Sequence, residues 1–485
     1  MNIASPLAQY ARTRANHPAI VHGDHVVLYR DLDARVRRTA AHLLSAGVKP
    51  GDVVGVALSD SIEHVVVLFA LARAGIVMLP LDWRWTAGEQ ERVGVHFGAA
   101  RVLAEPGAAP LQSIASITVD DDWLAAVASA SPDHAFSDDD GPLLMSLSSG
   151  TTGRPKGPRL SHTQFLRRFL VHWVSLGFNS QDRYISATPL YYGGGRAFCM
   201  QMIYSGGTVL MFPPPYEPEA LCHAIEAQRA TAVFLVPTLL RRLLALPDAT
   251  LAPMQSMRLV LSSGAALHRD ERREMRARIC PGFIEYYSST EGGGVSCLTA
   301  MDPERYDESV GRAVFGVDVQ CVGDDHLPLP PGHIGRIRYR GPGVAEGFWN
   351  DPDATRDAFR EGWYYPGDLG KMDEDGYLYL KGRSKDMIIR GGINIYPAEV
   401  EAALQSHPAV RECAVVGWPS REFNEEVAAF VILQGEVSAT ELRELCRARL
   451  APYKVPRDVF IVEEFPRNTL GKVIKPALTA TLPAL

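Results

Sequence analysis

Ser148-Ser149-Gly150-Thr151-Thr152-Gly153-Arg154-Pro155-Lys156-Gly157 is the stretch on which the reading of this chain turns. It follows an apolar run, Leu143 to Leu147, and precedes a helix predicted from Ser161, whose Gln164 three residues on completes a capping box. Small residues let backbone amides approach phosphate oxygens, the hydroxyls add donors, and Lys156 supplies positive charge. The stretch is not a Walker A loop: Pro155 precedes the lysine, and Gly157 stands where Ser or Thr would be needed. A flexible Gly/Thr linker is the plain alternative, and the density of donors around one lysine argues against it.

Outward from this loop, short apolar runs bounded by Gly, Pro and Asp alternate with helical patterns. They are Val53 to Leu58, Ile76 to Leu81, Ser186 to Leu190, Thr208 to Phe212, Ala232 to Pro237, Leu259 to Ser262 and Phe283 to Tyr287. The alternation predicts an α/β fold: a large N-terminal domain of layered, mostly parallel sheets with helices. From about residue 310 the runs shorten and alternate, as in Arg336 to Tyr339 and Tyr377 to Leu380, which predicts a small antiparallel or barrel-like subdomain over 310–382. A third pattern begins near Gly382. Pro397 at a first helical position and Glu399 in the first turn open a helix, then come Val410 to Val416, Val427 to Leu433, a helix from Ala439, and Val459 to Val462. The expected division is therefore 1–382 and a small, mobile α+β domain over 383–485.

With 485 residues, 46% hydrophobic and 22% charged, the chain can bury more core than one domain holds. Its net charge of -7 gives no broad basic surface, which excludes long nucleic acids as partners while leaving nucleotides open. Seven cysteines, widely spaced and without a C-x-x-C pair, fit reduced thiols. The first twenty residues carry charges and proline where an export signal needs an apolar segment, so a cytoplasmic location is expected. Val65 to Leu81 is interrupted by Arg73 and is too short to span a membrane; a helix followed by a buried strand is expected there.

Further segments follow the phosphate loop in order: Ser263-Gly264-Ala265-Ala266; Tyr286-Tyr287-Ser288-Ser289-Thr290-Glu291-Gly292; Tyr365-Pro366-Gly367-Asp368; Gly382-Arg383-Ser384-Lys385; Arg390-Gly391-Gly392; and Asn468-Thr469-Leu470-Gly471-Lys472. Over essentially its whole length the chain resembles the superfamily of adenylate-forming enzymes, which includes acyl-CoA synthetases, adenylation domains of peptide synthetases, and luciferases. The resemblance implies an acid–thiol ligase that uses ATP, Mg2+ and coenzyme A. Ser148, Ser149, Gly150, Thr151, Thr152, Gly153 and Lys156 would hold phosphates. Gly264, Ala265, Ala266, Tyr286, Tyr287 and Ser288 would surround adenine, with Tyr287 as the aromatic face. Thr290 would reach the α-phosphate, and Glu291 would hold Mg2+ as a hard carboxylate ligand. Asp368 and Arg383 would bind the ribose, with Pro366 in place of the usual Thr. Lys385 would be the hinge, while Arg390, Gly391 and Gly392 would admit the pantetheine arm. Lys472 would be catalytic, bridging carboxylate and α-phosphate; Lys475 is read as a solvated surface charge. The glycines of Gly341-Pro342-Gly343-Val344-Ala345-Glu346-Gly347 are read as turn residues, since the spacing is not that of a dinucleotide fingerprint.

The same resemblance places the acid near Tyr192, Gly193, Arg196, Val236, Gly264, Ser288, Gly292 and Gly293. Tyr192 stands where many relatives have histidine, and Ser288 replaces a glycine, narrowing the passage. Gly193 occupies the place where amino-acid-activating relatives have an aspartate, which counts against an α-amino acid. A small or medium aliphatic or aromatic acid is expected. Arg196 has three readings: a partner for a second substrate carboxylate, an exposed charge, or half of a structural salt bridge. A carrier-protein phosphopantetheine remains an alternative acceptor, and a homodimer stays open. A catalytically silent nucleotide-binding scaffold would have lost Lys156, Glu291, Asp368 or Lys472, and all four are present.

Overall fold

The computed structural model describes residues 2–132, 140–147, 156–264, 267, 269–390, 393–420, 422–467 and 472–483. Apolar runs of four to seven residues became strands, and the amphipathic or wholly apolar segments between them became helices. The chain folds into two compact units, residues 1–319 with 339–364, and residues 320–338 with 365–485. The boundary expected at 382 and 383 lies inside the second unit.

The first unit holds two sheets. One has nine strands; its middle is parallel and runs Phe283–Ser289, Leu259–Ser262, Ala232–Leu235, Arg183–Ser186, Thr208–Met211, Pro18–His22, with antiparallel strands on both edges. The other has six strands, in the order Ser116–Thr118, Ala99–Ala104, Val53–Ala57, Val77–Pro80, Pro142–Met145, Arg159–Ser161, of which only the last is antiparallel. Crossover helices cover the faces, as parallel pairing requires. Val65 to Leu81 resolves as expected into the helix Ile62–Arg73, capped by the Ser61 hydroxyl on the His64 amide, and the strand Val77–Pro80. That helix is buried all round, each large aliphatic side chain contributing about 1.5–3 kcal/mol.

One predicted strand moves. The apolar run Ser186 to Leu190 is not a strand; the strand is Arg183–Ser186. Pro189 has no amide to donate to a ladder, the Thr188 hydroxyl donates to the Phe234 carbonyl, and the Leu190 amide is taken by Asp60. Sheet bonding therefore stops at Ser186, and a shaped loop leads into the helix Gly193–Ser205.

In the second unit the hairpin Asp368–Met372 with Leu378–Arg383 is antiparallel, and Gly335 and Arg336 pair with it. Pairing of Tyr339 with Tyr364 in the first unit is antiparallel too, so the short runs after residue 310 form the expected kind of strand. Beyond Arg383 a five-stranded sheet centres on Val410–Ser420 and Asn424–Leu433. Helices Pro397–Gln405 and Ala439–Arg449 start where the sequence predicts, the first with Pro at its start and the second with a Ser438/Glu441 capping box. Among the described residues, no helix is long and apolar enough to cross a membrane, and no cluster of three or more His, Cys, Asp or Glu could hold a metal. All seven cysteines are unpaired.

Candidate active site

The candidate site of the first unit is built on loops beyond the carboxyl ends of parallel strands, where open α/β sheets bind ligands. Ser146 follows Pro142–Met145, Val236 follows Ala232–Leu235, and Ser263 and Gly264 follow Leu259–Ser262. Residues Ser148, Ser149, Gly150, Thr151, Thr152 and Gly153 lie outside the described residues, as do Ala265 and Ala266. Lys156, where the description resumes, is half-buried with its ammonium 5.6 Å from the centre of the Phe348 ring.

The helix His162–Val174 begins at the predicted capping box: Ser161 Oγ accepts from the Gln164 amide at 3.2 Å, and Gln164 Oε1 accepts from the Ser161 amide at 2.9 Å. This start aims Arg168 inward. Its Nε donates to the Gly343 carbonyl at 2.9 Å, Nη1 to Thr290 at 3.1 Å and Nη2 to Glu291 at 2.9 Å. Burial pushes the guanidinium down to about 10. Sequence reading missed Arg168 altogether. It also explains Gly343, whose φ lies outside the left-handed region: a β-carbon there would sit 2.8 Å from Arg168, so close approach demands the glycine. Gly341 and Gly347 are tight in the same way against Val317 and Thr355. Gly341 and Gly343 also lie in a turn, the Val344 amide donating to the Gly341 carbonyl at 3.2 Å, so their reading as turn glycines holds and close packing adds to it.

The Thr290–Glu291 turn is held from a second side. Ser289 Oγ lies 2.6 Å from the Tyr339 hydroxyl and accepts from the Gly292 amide at 2.9 Å. A β-carbon on Gly292 would lie 2.0 Å from that hydroxyl, and one on Gly293 would lie 3.1 Å from Arg168. Gly292 and Gly293, expected in the acid pocket, thus face these braces. Glu291 is buried, and among the described residues its carboxylate has no ion-pair partner, an environment that suits a bound cation. Tyr286 and Tyr287 point to opposite faces of their strand. Tyr286 is buried against Gly294 and the His172 ring, so it belongs to the core and not to the nucleotide; Tyr287 is half-exposed.

Around the expected acid position, Tyr192, Gly193 and Gly264 do come together. The Tyr192 hydroxyl lies 3.4 Å from where a β-carbon on Gly264 would stand, and Gly264 has φ +104°. Ser146 Oγ lies 4.0 Å from the corresponding point on Gly193, and Phe234 packs on Gly194. Ser288 pairs with Ser263 at 3.0 Å between hydroxyl oxygens. Phe234 and Ser263 lie in stretches the sequence already singles out, whereas Ser146 is not among the expected residues; its place at a strand end is the available signal. Arg196 matches neither of its structural readings. It is 2% exposed and, among the described residues, has no carboxylate partner; Nη1 donates to the carbonyls of Leu190 at 3.1 Å and Tyr191 at 3.0 Å.

In the second unit Asp368 and Arg383 are cross-strand partners, with Arg383 Nε 3.1 Å from Asp368 Oδ1. Lys385 sits in the 3-10 turn Ser384–Asp386, and burial lowers its pKa. Arg390 is bound by Glu426 at 2.6 and 3.2 Å and stacks 4.4 Å from the centre of Phe423, while Gly391 and Gly392 lie outside the described residues. Lys472 is exposed. Lys475 is not a simple solvated charge: its ammonium donates to Glu401 at 2.7 Å.

The sequence model for the AMP-binding enzyme family matches residues 7–349, and that for the AMP-binding enzyme C-terminal domain matches residues 399–472. The chain belongs to the AMP-binding enzyme family. Among its relatives, a feruloyl-CoA synthase from Amycolatopsis sp is 35% identical over 473 residues, covering 96% of both chains. An indoleacetate–CoA ligase from Aromatoleum aromaticum is 32% identical, covering 98% of this chain and 97% of that one. ATP-bound MatB from Rhodopseudomonas palustris superposes with a TM-score of 0.89 at 32% identity, covering 99% of both chains. A MenE from Bacillus subtilis in complex with the acyl-adenylate intermediate OSB-AMP gives 0.89 at 27% identity, covering 100% of this chain and 99% of that one. These relatives place this AMP-binding enzyme in the acyl-CoA ligase branch.

Proposed function

We propose that this AMP-forming acid–CoA ligase acts on an aromatic or arylalkenoic acid. Its reaction class is ATP-dependent ligation of an acid to coenzyme A through an acyl-adenylate, with Mg2+ accompanying the nucleotide. The observation that carries the choice of acid is that the Tyr192 hydroxyl against Gly264 and the Phe234 ring on Gly194 bring aromatic side chains to the expected acid position, which suits a flat ring. The names of the feruloyl and indoleacetate relatives support the same choice.

In this reading a carboxylate oxygen attacks the α-phosphorus of ATP, and pyrophosphate leaves with the electrons of the broken P–O bond. The CoA sulfur then attacks the acyl carbon, its proton passes to solvent, and AMP leaves. Thr151, Thr152 and Lys156 bind phosphates; Thr290 reaches the α-phosphate from a turn fixed by Arg168 and Ser289. Glu291 would hold Mg2+, which supplies charge neutralisation between the phosphates. Gly264 and Tyr287 receive adenine, and Asp368 with Arg383 the ribose. Lys472 stabilises charge developing between carboxylate and phosphate. Lys385 is the hinge of a C-terminal domain beginning at 383, and Arg390 with Gly391 and Gly392 takes the pantetheine arm. The proposal sets the enzyme in the cytoplasm, where unpaired cysteines persist.

The test is pyrophosphate release and thioester formation across hydroxycinnamic, arylacetic, benzoic and straight-chain alkanoic acids, with CoA or a phosphopantetheinylated carrier protein as acceptor, on enzyme whose mass in solution is measured alongside. Aromatic acids with CoA should give the highest kcat/KM. Alkanoates favoured tenfold would reject the acid class, and turnover only with the carrier would reject CoA as acceptor.

A further inference from the structure

The loop entering the candidate acid pocket is held by charges that are buried and yet not spent on one another. Asp60 is 5% exposed and Arg196 2% exposed, and among the described residues neither has an oppositely charged partner within ion-pair distance. Both act instead on one dipeptide. Asp60 Oδ1 accepts the Leu190 amide at 2.9 Å, from 130 residues away in the chain. Arg196 Nη1 returns to the carbonyls of Leu190 and Tyr191 at 3.1 and 3.0 Å. The remaining Asp60 oxygen accepts from the Tyr216 hydroxyl at 2.9 Å. A third charge holds the Tyr191 side chain: Arg84 Nη2 donates to its hydroxyl at 2.6 Å, and Arg84 is aimed by two bonds, 2.9 and 2.7 Å, to Asp82, whose side chain is 1% exposed.

Burying lone charges is costly, and apolar residues of similar volume usually serve stability as well or better. Here an acid takes the amide of Leu190, a base takes its carbonyl and that of Tyr191, and an ion pair takes the phenol of Tyr191. The next residue is Tyr192, which precedes the helix Gly193–Ser205 without a side-chain cap of its own and whose hydroxyl faces Gly264. Tyr192 thus follows directly on the clamped dipeptide, its own amide donating to the Pro189 carbonyl at 3.0 Å.

We propose that Asp60, Arg196 and the Asp82–Arg84 pair are positioning residues that fix Leu190–Tyr191, and through it Tyr192, so that they set which acids fit. The inference rests on the reading above that Tyr192 borders the acid pocket. None of these side chains is assigned contact with ATP, CoA or the acid.

The experiment compares Asp60→Ala, Asp60→Asn, Arg84→Met and Tyr192→Ala in the full-length enzyme, measuring KM for the best acid, KM for ATP, kcat, and the kcat/KM ratio between a planar aromatic acid and a bulkier saturated analogue. Asparagine can still accept the Leu190 amide and meet the Tyr216 hydroxyl, so it tests hydrogen bonding apart from charge. Asp60→Ala is expected to raise the acid KM about tenfold, the size of one lost hydrogen bond to a charged group, and to flatten the selectivity ratio, with KM for ATP within about twofold of wild type. Asp60→Asn should restore most of the loss. Arg84→Met, at a half-exposed residue, leaves Asp82 the backbone amide of residue 84 as donor; it should move acid KM in the same direction by about threefold and answers the question if Asp60→Ala does not fold. Lowered thermal stability with unchanged acid KM and selectivity, or equal losses for acid and ATP, would overturn the clamp. Tyr192→Ala separates the two failures. If it shifts acid selectivity while Asp60→Ala and Arg84→Met do not, the pocket reading stands and the clamp falls; if it leaves selectivity unchanged, the pocket reading falls and the clamp with it.

Discussion

The two units carry the proposed functional residues in opposite physical settings. In the first, Thr290 and Glu291 belong to a turn whose carbonyls are held by the buried Arg168 and whose next amide is held by Ser289. In the second, Lys472 is exposed and the Arg383 side chain is 48% exposed beside Asp368. Burial and backbone hydrogen bonding make the first set a preformed mould, whereas the second set keeps charge accessible to solvent. Preformed donors cost no reorganisation when charge develops, whereas an exposed lysine stays in contact with solvent. The contrast teaches that losses in the first unit should register in stability as well as rate, and losses in the second in rate alone.

The largest expected effect is at Lys472. Lys472→Ala should lower acid-dependent pyrophosphate release by about 100- to 1000-fold, the scale of one lost electrostatic stabiliser, while thermal stability stays within about 0.5 kcal/mol. Arg168→Met should behave oppositely. Three buried carbonyls lose their donor, each unpaired group costing about 1–3 kcal/mol, so urea denaturation should show a total loss of about 3 kcal/mol together with reduced adenylation. A loss below about 1 kcal/mol would erase the contrast.

An intermediate effect concerns pH. In the first unit burial, aided by Arg196, holds His64 down to about 4, and burial, aided by Arg168, holds His172 down to about 3. Both are neutral in the fold, while the unfolded chain protonates them near 6.5. Their stabilisation is complete above that value and is lost as pH falls below it, with a limiting slope of about 2.7 kcal/mol per pH unit for the pair, until the folded values are reached. Denaturation midpoints between pH 7 and 5 should show this fall, and His172→Phe, which keeps the stack on Phe198, should halve it. The smallest effect is at Arg383. Its half-exposed pairing with Asp368 is worth about 0.2–1 kcal/mol, so Arg383→Ala should leave thermal stability nearly unchanged and raise the KM for ATP several-fold.

Much of this was legible in the sequence because its causes are local. The Ser161–Gln164 box, the proline start at Pro397 and the parallel-strand runs depend on neighbours within a turn or a strand, and they fall where expected. The run at 186–190 has the hydrophobicity of a strand, yet Pro189 cannot donate to a ladder and the strand ends at Ser186. The two-residue period of a strand sends Tyr286 to the face opposite Tyr287, and it is buried there instead of facing the expected adenine position. Arg168 and Asp60 were invisible for a different reason: their partners are backbone carbonyls and an amide more than 100 residues away, and a backbone group leaves no mark in a sequence. Arg196 was expected exposed, salt-bridged or facing a substrate carboxylate. It is buried on two carbonyls of the loop just before its own helix, an arrangement spacing alone does not reveal.

The most direct test of the account separates the two half-reactions in wild type and Lys472→Ala. ATP, Mg2+ and a panel of acids report pyrophosphate release; a synthetic acyl-adenylate with CoA reports thioester formation without adenylation. The account predicts acid-dependent release that collapses in the variant, with thioester formation from the preformed adenylate kept within a few-fold of wild type. Equal loss of both half-reactions, or pyrophosphate release unaffected by the substitution, would contradict the division between a rigid mould and an exposed lysine proposed to serve adenylation.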